Sequence, residues 1–143
     1  MITKIWKKRD IYKVAGVLFF VWTAVILYGS LSPGDDLPPM GWLARIPHFD
    51  KIVHFCFYLG QVLLLLLWLQ PSRGNRIWVA LCAIIFSGTI ELLQGEYFDR
   101  SADWLDFAAN SAGALAGIPL ARLAERLIFK KDSGNETPPN NDN

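Results

Sequence analysis

Residues 51–69 read KIVHFCFYLGQVLLLLLWL. This nineteen-residue stretch decides the fold class. After Lys51 it contains no acid and no further Lys or Arg, and it is close to the 20 or so apolar residues that carry an α-helix through a bilayer core. Three polar side chains interrupt it: His54, Tyr58 and Gln61. With Asp50 they recur at helical spacing and fall on one stripe less than a quarter-turn wide. The stretch therefore predicts a membrane helix with one polar face, and polar groups in a span usually turn toward the bundle interior.

Working outward, three more segments have comparable length. Residues 14–31 (VAGVLFFVWTAVILYGSL) carry no charge. Residues 77–94 (IWVALCAIIFSGTIELLQ) contain one acid, Glu91. Residues 104–123 (WLDFAANSAGALAGIPLARL) are the least apolar and are rich in Ala and Gly, which suits a helix packed tightly against others. The alternative for this last segment is an interfacial or re-entrant helix. Residues 32–50 carry four Pro and two Gly and read as a turn-rich loop. Residues 70–76 (QPSRGNR) read as a tight turn, and residues 95–103 as a short polar link. The tail from Asp132 is polar and should be disordered.

The charge pattern gives a direction. The net charge is only +1, from 14 basic and 13 acidic residues. Eleven of the basic residues precede the first span, lie between the second and third, or follow and end the fourth. Only Arg45, Lys51 and Arg100 fall on the other side. The positive-inside rule then puts both termini in the cytoplasm, which requires an even number of spans. The expectation is an all-α polytopic membrane protein with four transmembrane helices. Residues 1–13 would form a basic cytoplasmic N-terminus, residues 14–128 the membrane domain, and residues 129–143 a disordered cytoplasmic tail. A cleaved signal peptide is the competing reading of the N-terminus, but no A-x-A-like site follows the apolar run. Trp42, Trp68, Tyr97 and Trp104 sit near the span ends, as interfacial aromatics should.

Composition excludes other classes. Hydrophobic residues make up 52% of the chain, and mean hydropathy is +0.27, so disorder is excluded for most of it. Nothing in the charge suggests a nucleic-acid partner. Cys56 and Cys82 are too few for a disulfide framework, differ in depth, and read as small buried residues.

The polar residues converge in depth. At a rise of ~1.5 Å per residue, His54 lies roughly 5 Å and Glu91 roughly 10 Å below the outer boundary. Ser87, Glu91 and Gln94 share a face of the third span. Asp103, Asp106, Asn110, Gly113 and Gly117 share a face of the fourth. The expectation is a polar pocket in the outer third of the membrane, roofed by residues 32–50 and 95–103, with no comparable set in the inner half. Its ligand-binding candidates are Asp50, Lys51, His54, Tyr58, Glu91, Gln94, Arg100, Asp103, Asp106 and Asn110. Glu91, His54 and Asp106 are the candidates for any catalytic role. No cofactor motif and no dedicated metal motif is present, though carboxylates with His54 are suitable ligands for a hard divalent cation. The Gly113-x-x-x-Gly117 pattern lies on the polar face, which points to packing within the bundle rather than to a dimer seam. Pro119 is placed to kink the inner end of the fourth span.

Three stretches together resemble the VanZ-like family of membrane proteins. They are Asp50 through Phe55 with Tyr58; Ile90 through Gln94 with Arg100, Ser101 and Asp103; and Asp106 through Asn110 with Gly113 and Gly117. Ser30-Leu31-Ser32-Pro33 ends the first span in a similar way, and the resemblance covers about residues 14–124. It implies a small multi-spanning protein of the bacterial inner membrane. The family takes its name from a member linked to low-level teicoplanin resistance, and it implies no particular reaction. Three function classes follow. The first is a non-enzymatic envelope protein binding an envelope lipid or a lipopeptide or glycopeptide antibiotic. The second is a membrane enzyme acting on a lipid phosphate or lipid-linked sugar. The third is a transporter, which would need a polar route inward and a homodimer. Membrane lipids are partners in all three.

Overall fold

The computed structural model describes residues 8–32, 41–97 and 103–129. Four long helices dominate: α1 (Lys8–Leu31), α2 (Phe49–Leu69), α3 (Arg76–Tyr97) and α4 (Trp104–Phe129). Short 3-10 turns at Gly41–Arg45 and Arg73–Asn75 precede α2 and α3, and no strand occurs among the described residues. The all-helical expectation holds, with longer elements than hydropathy alone marks. Hydropathy stops where charges begin, whereas a helix continues through Lys, Arg and Glu, which are good helix formers.

Helix ends follow local chemistry. Asp103 caps α4: its Oδ1 accepts the Leu105 N–H at 2.8 Å, supplying one of the first-turn partners that a helix cannot provide itself. Gln70 closes α2 in the left-handed region (φ 50°), its N–H returning to the Leu66 carbonyl, and Pro71 cannot extend the helix. His48 precedes α2, also at positive φ (56°). Pro119 sits inside α4, which runs on past it to Phe129.

Side-chain pairs fix the directions. Gly16 lies against Trp68, Trp22 over Gly60 and Gly29 against Phe57, so contacts move back along α2 as they advance along α1, and the two are antiparallel neighbours. Trp22 donates to the Phe57 carbonyl at 2.8 Å and Gln61 to Thr23 at 3.4 Å. Lys51 meets Asp103 and Asp106, while Gly113 and Gly117 lie against Phe55, Leu59 and Val62, so α2 and α4 run parallel. Those glycines make the approach possible. A Cβ on Gly113 would collide with the Phe55 carbonyl, and one on Gly117 would come within 2.9 Å of Val62. The glycine pair thus packs α4 on α2, as its position on the polar face implies.

The core is small-sided: Ala80, Ala83, Ala114 and Ala121 interleave with Ile26, Tyr58, Val62, Leu66 and Ile90. The outside is apolar, with Val17, Phe20, Ile85 and Leu92 each at least 61% exposed. In water such a surface would drive association; against lipid tails it carries no such penalty. Helices α1, α2 and α3 are long and apolar enough to cross a membrane, whereas α4 falls below that hydropathy. Cys56 and Cys82 are exposed on this outer surface, which corrects the expectation that they are buried. A thiol is apolar enough to stand either in a core or at a lipid face, so residue type alone does not separate the two.

Candidate functional site

One turn of each of three helices builds the cluster. His54 of α2, Glu91 of α3 and Asp106 and Asn110 of α4 meet at one end of the bundle. His54 Nδ1 lies 3.0 Å from Asn110 Oδ1, and Asn110 Nδ2 donates to Glu91 Oε1 at 3.3 Å. His54 Nδ1 is also 3.9 Å from Glu91, and its Nε2 is 3.7 Å from Asp106 Oδ2. Glu91 and Asn110 are buried, and His54 and Asp106 are nearly so.

Lys51 closes the end of the cluster. Its ammonium sits 2.8 Å from Asp50, 2.5 Å from Asp103 and 2.6 Å from Asp106. One cation therefore balances three carboxylates, while Glu91 has the Asn110 amide and the His54 ring beside it. Asp103, just ahead of α4, has its carboxyl held below the usual carboxylate range, first by the Lys51 ammonium and then by the Leu105 N–H.

The candidates divide into three groups. Lys51, His54, Glu91, Asp103, Asp106 and Asn110 are brought together. Asp50 stays at the exposed rim, and Tyr58 is fully buried one turn further along α2. Gln94 is buried, but its amide donates to the Ser30 carbonyl at 2.6 Å and so ties α3 to α1. Arg100 lies outside the described residues, as do residues 33–40 and 98–102 of the two segments expected to roof the site.

A cavity of about 120 Å³ opens beside the cluster between α3 and α4. Gly88, Leu92, Trp104 and Phe107 line it, with Glu91 and Asp103. Its walls are apolar. Separately, one ligand atom each from His54, Glu91 and Asp106 lies within 4.8 Å of the others, a spacing on which a metal ion could be held. The hydrogen bond to Asn110 occupies His54 Nδ1, leaving Nε2 for such an ion.

The sequence reading missed a second polar set. Arg76 was expected in the turn before the third span, with nothing comparable to the outer cluster in the inner half. Instead Arg76 is the first residue of α3 and is only 7% exposed. Its Nη2 bonds both carboxylate oxygens of Glu125 in α4, at 2.9 and 2.8 Å. The correction has a clear cause: a charge at a hydropathy boundary looks solvated unless the partner on another helix is known. The available signal was Glu125, the only acid between Asp106 and Asp132.

No curated protein and no solved structure significantly matches the chain. A family model does, over residues 4–125, and that span includes the whole cluster. With three membrane-length apolar helices, the match marks the chain as a membrane protein that belongs to the VanZ/LLP1 family.

Proposed function

We propose that this is a four-span protein of the bacterial inner membrane, with both termini cytoplasmic, whose His54–Glu91–Asp106–Asn110 cluster faces outward. It binds the polar head of an envelope lipid or of a lipopeptide or glycopeptide antibiotic. The fourth span rests on register. From Arg76 to Glu91, and from Asn110 to Glu125, the step is fifteen residues, so α4 accompanies α3 over ~22 Å. The charge asymmetry supplies the orientation. A C-terminal green fluorescent protein fusion should fluoresce, and an alkaline phosphatase fusion at the same point should be inactive; the reverse result rejects the topology.

The observation that carries the ligand reading is the convergence of ionisable groups from three helices beside an apolar cavity. Ionisable groups at membrane depth are costly and mark functional sites by default. The apolar cavity would take an acyl chain or ring, and the cluster a hydrogen-bonding head. The test is lipid mass spectrometry on protein purified in native membrane discs, coupled to complementation of a deletion strain that has an envelope phenotype. Glu91→Gln and His54→Ala should lose both a co-purified amphiphile and the rescue of antibiotic susceptibility. Retention of both by the two variants sinks the reading.

A second reading is favoured by the spacing of His54, Glu91 and Asp106. In an enzyme acting on a lipid phosphate, Asp106 or Glu91 would be a metal ligand or general base and His54 the proton carrier. Purified protein that neither retains a divalent metal nor turns over polyprenyl phosphate lipids would reject it.

A further inference from the structure

At the opposite end of the bundle from His54, a cavity of about 390 Å³ is lined by Arg73, Arg76, Arg122, Glu125 and Arg126. Four guanidinium groups face one carboxylate there. That carboxylate is already bonded, through both oxygens, to Nη2 of Arg76. The Nε and Nη1 atoms of Arg76 are buried and have no hydrogen-bond partner among the described residues. Arg73, Arg122 and Arg126 are exposed and surround the same space. A preference for basic residues at cytoplasmic span ends explains exposed arginines. It does not explain why one is buried with two nitrogens unpaired, since a buried donor is normally satisfied.

We infer that this cavity is an oxyanion site for a phosphate group. Phosphate presents several acceptor oxygens around one centre, and guanidinium forks bind such groups bidentately. Arg76 lines the cavity as a buried cation with donors on Nε and Nη1 left unpaired, and the exposed arginines supply forks and charge at its mouth. Glu125 holds the Arg76 plane from the other side, which makes it a positioning residue. The volume exceeds that of a single water several-fold and accommodates an esterified phosphate. The same chemistry has two sources at a membrane surface: the headgroup of an anionic lipid, or a soluble phosphate compound. The inference is independent of the ligand proposed for the His54 end.

The test uses the full-length protein, in detergent and in lipid discs. In detergent, thermal stability is followed against inorganic phosphate and glycerol 3-phosphate, with sodium chloride at equal ionic strength as reference. In discs, stability is compared between phosphatidylcholine alone and phosphatidylcholine with phosphatidylglycerol. A bound ligand stabilises in proportion to its occupancy of the folded state. Stabilisation by phosphate beyond chloride assigns a soluble ligand; stabilisation only by phosphatidylglycerol assigns a headgroup. Either effect should weaken at least tenfold in apparent affinity in Arg122→Gln/Arg126→Gln, whose side chains are exposed. Arg76→Lys keeps a charge but loses the planar array of donors, and should weaken phosphate binding by a similar factor. The inference is overturned if neither arm exceeds its reference, or if the double variant binds as the native chain does.

Discussion

The ring of His54 and the amide of Asn110 meet at 3.0 Å across the α2–α4 interface. The amide is oriented by its other side, where Nδ2 donates to the Glu91 carboxylate. Oδ1 therefore faces His54, and because it only accepts, Nδ1 carries the hydrogen. Nε2 of His54 lies on the side of the ring toward Asp106 Oδ2, 3.7 Å away. Asn110 thus orients the ring, and it links groups from three helices.

Replacing Asn110 with Leu should be costly although the size is similar. Glu91 would lose the Asn110 amide and His54 would lose its acceptor, each of them in a largely buried place. A buried polar group left unpaired costs about 1–3 kcal/mol. Equilibrium unfolding in mixed micelles should show Asn110→Leu destabilised by at least that amount. An unchanged midpoint would mean that water replaces the amide.

Gly113 and Gly29 offer a matched pair of substitutions. A Cβ at Gly113 meets backbone, the Phe55 carbonyl and the Leu59 nitrogen, which cannot step aside without parting α2 from α4. Among the described residues, a Cβ at Gly29 meets the Phe57 ring at 3.6 Å, an ordinary contact. Gly113→Ala should cost about 1–3 kcal/mol, the usual range for overpacking. Gly29→Ala should be neutral or slightly stabilising, since Ala is the better helix former. Equal effects in the same unfolding assay would deny the close crossing.

Much of this was legible in the sequence because helical period and depth are one-dimensional properties. Asp50, His54 and Tyr58 share a stripe whatever surrounds them, and the rise per residue puts Glu91 near their level. Which helix a polar face meets is not one-dimensional. Gln94 shares a face with Glu91, yet its amide reaches Ser30 on α1. Arg76 looked like a turn residue because its partner, Glu125, is 49 positions away. Cys56 and Cys82 have side chains compatible with either side of a membrane helix, and only the bundle geometry turns them outward.

The Lys51 clamp should respond to acid. Asp103 has its carboxyl held below the ordinary range by Lys51 and the Leu105 N–H. A carboxyl depressed in the folded state contributes stability that is fully present above its unfolded pKa, about 3.9, and is lost as pH falls through the lower folded value. Stability should therefore decline as pH is lowered from about 5 toward 3. Asp103→Asn preserves the helix cap, because Asn caps as well as Asp. It removes the ionisation, so the variant should show a shallower acid limb in a midpoint-against-pH series. An identical limb in the two proteins would move the acid sensitivity to other carboxylates.

Trp22 and Gly60 form a contact that one residue cannot change without the other. The indole donates to the Phe57 carbonyl at 2.8 Å, which pins the ring over Gly60. A Cβ at Gly60 would come within 2.9 Å of that ring. Gly60→Ala must therefore either strain the ring or break its hydrogen bond, at about 1 kcal/mol for the bond alone. Trp22→Leu loses the bond and the ring packing but leaves space. Once the ring is gone, adding the methyl group should cost little. The double variant should then be less destabilised than the sum of the two singles, with a coupling of about 1 kcal/mol, within the range for residues in contact. Additive costs would mean that α1 shifts on α2 to admit the methyl, and that this pair does not hold the helices in register.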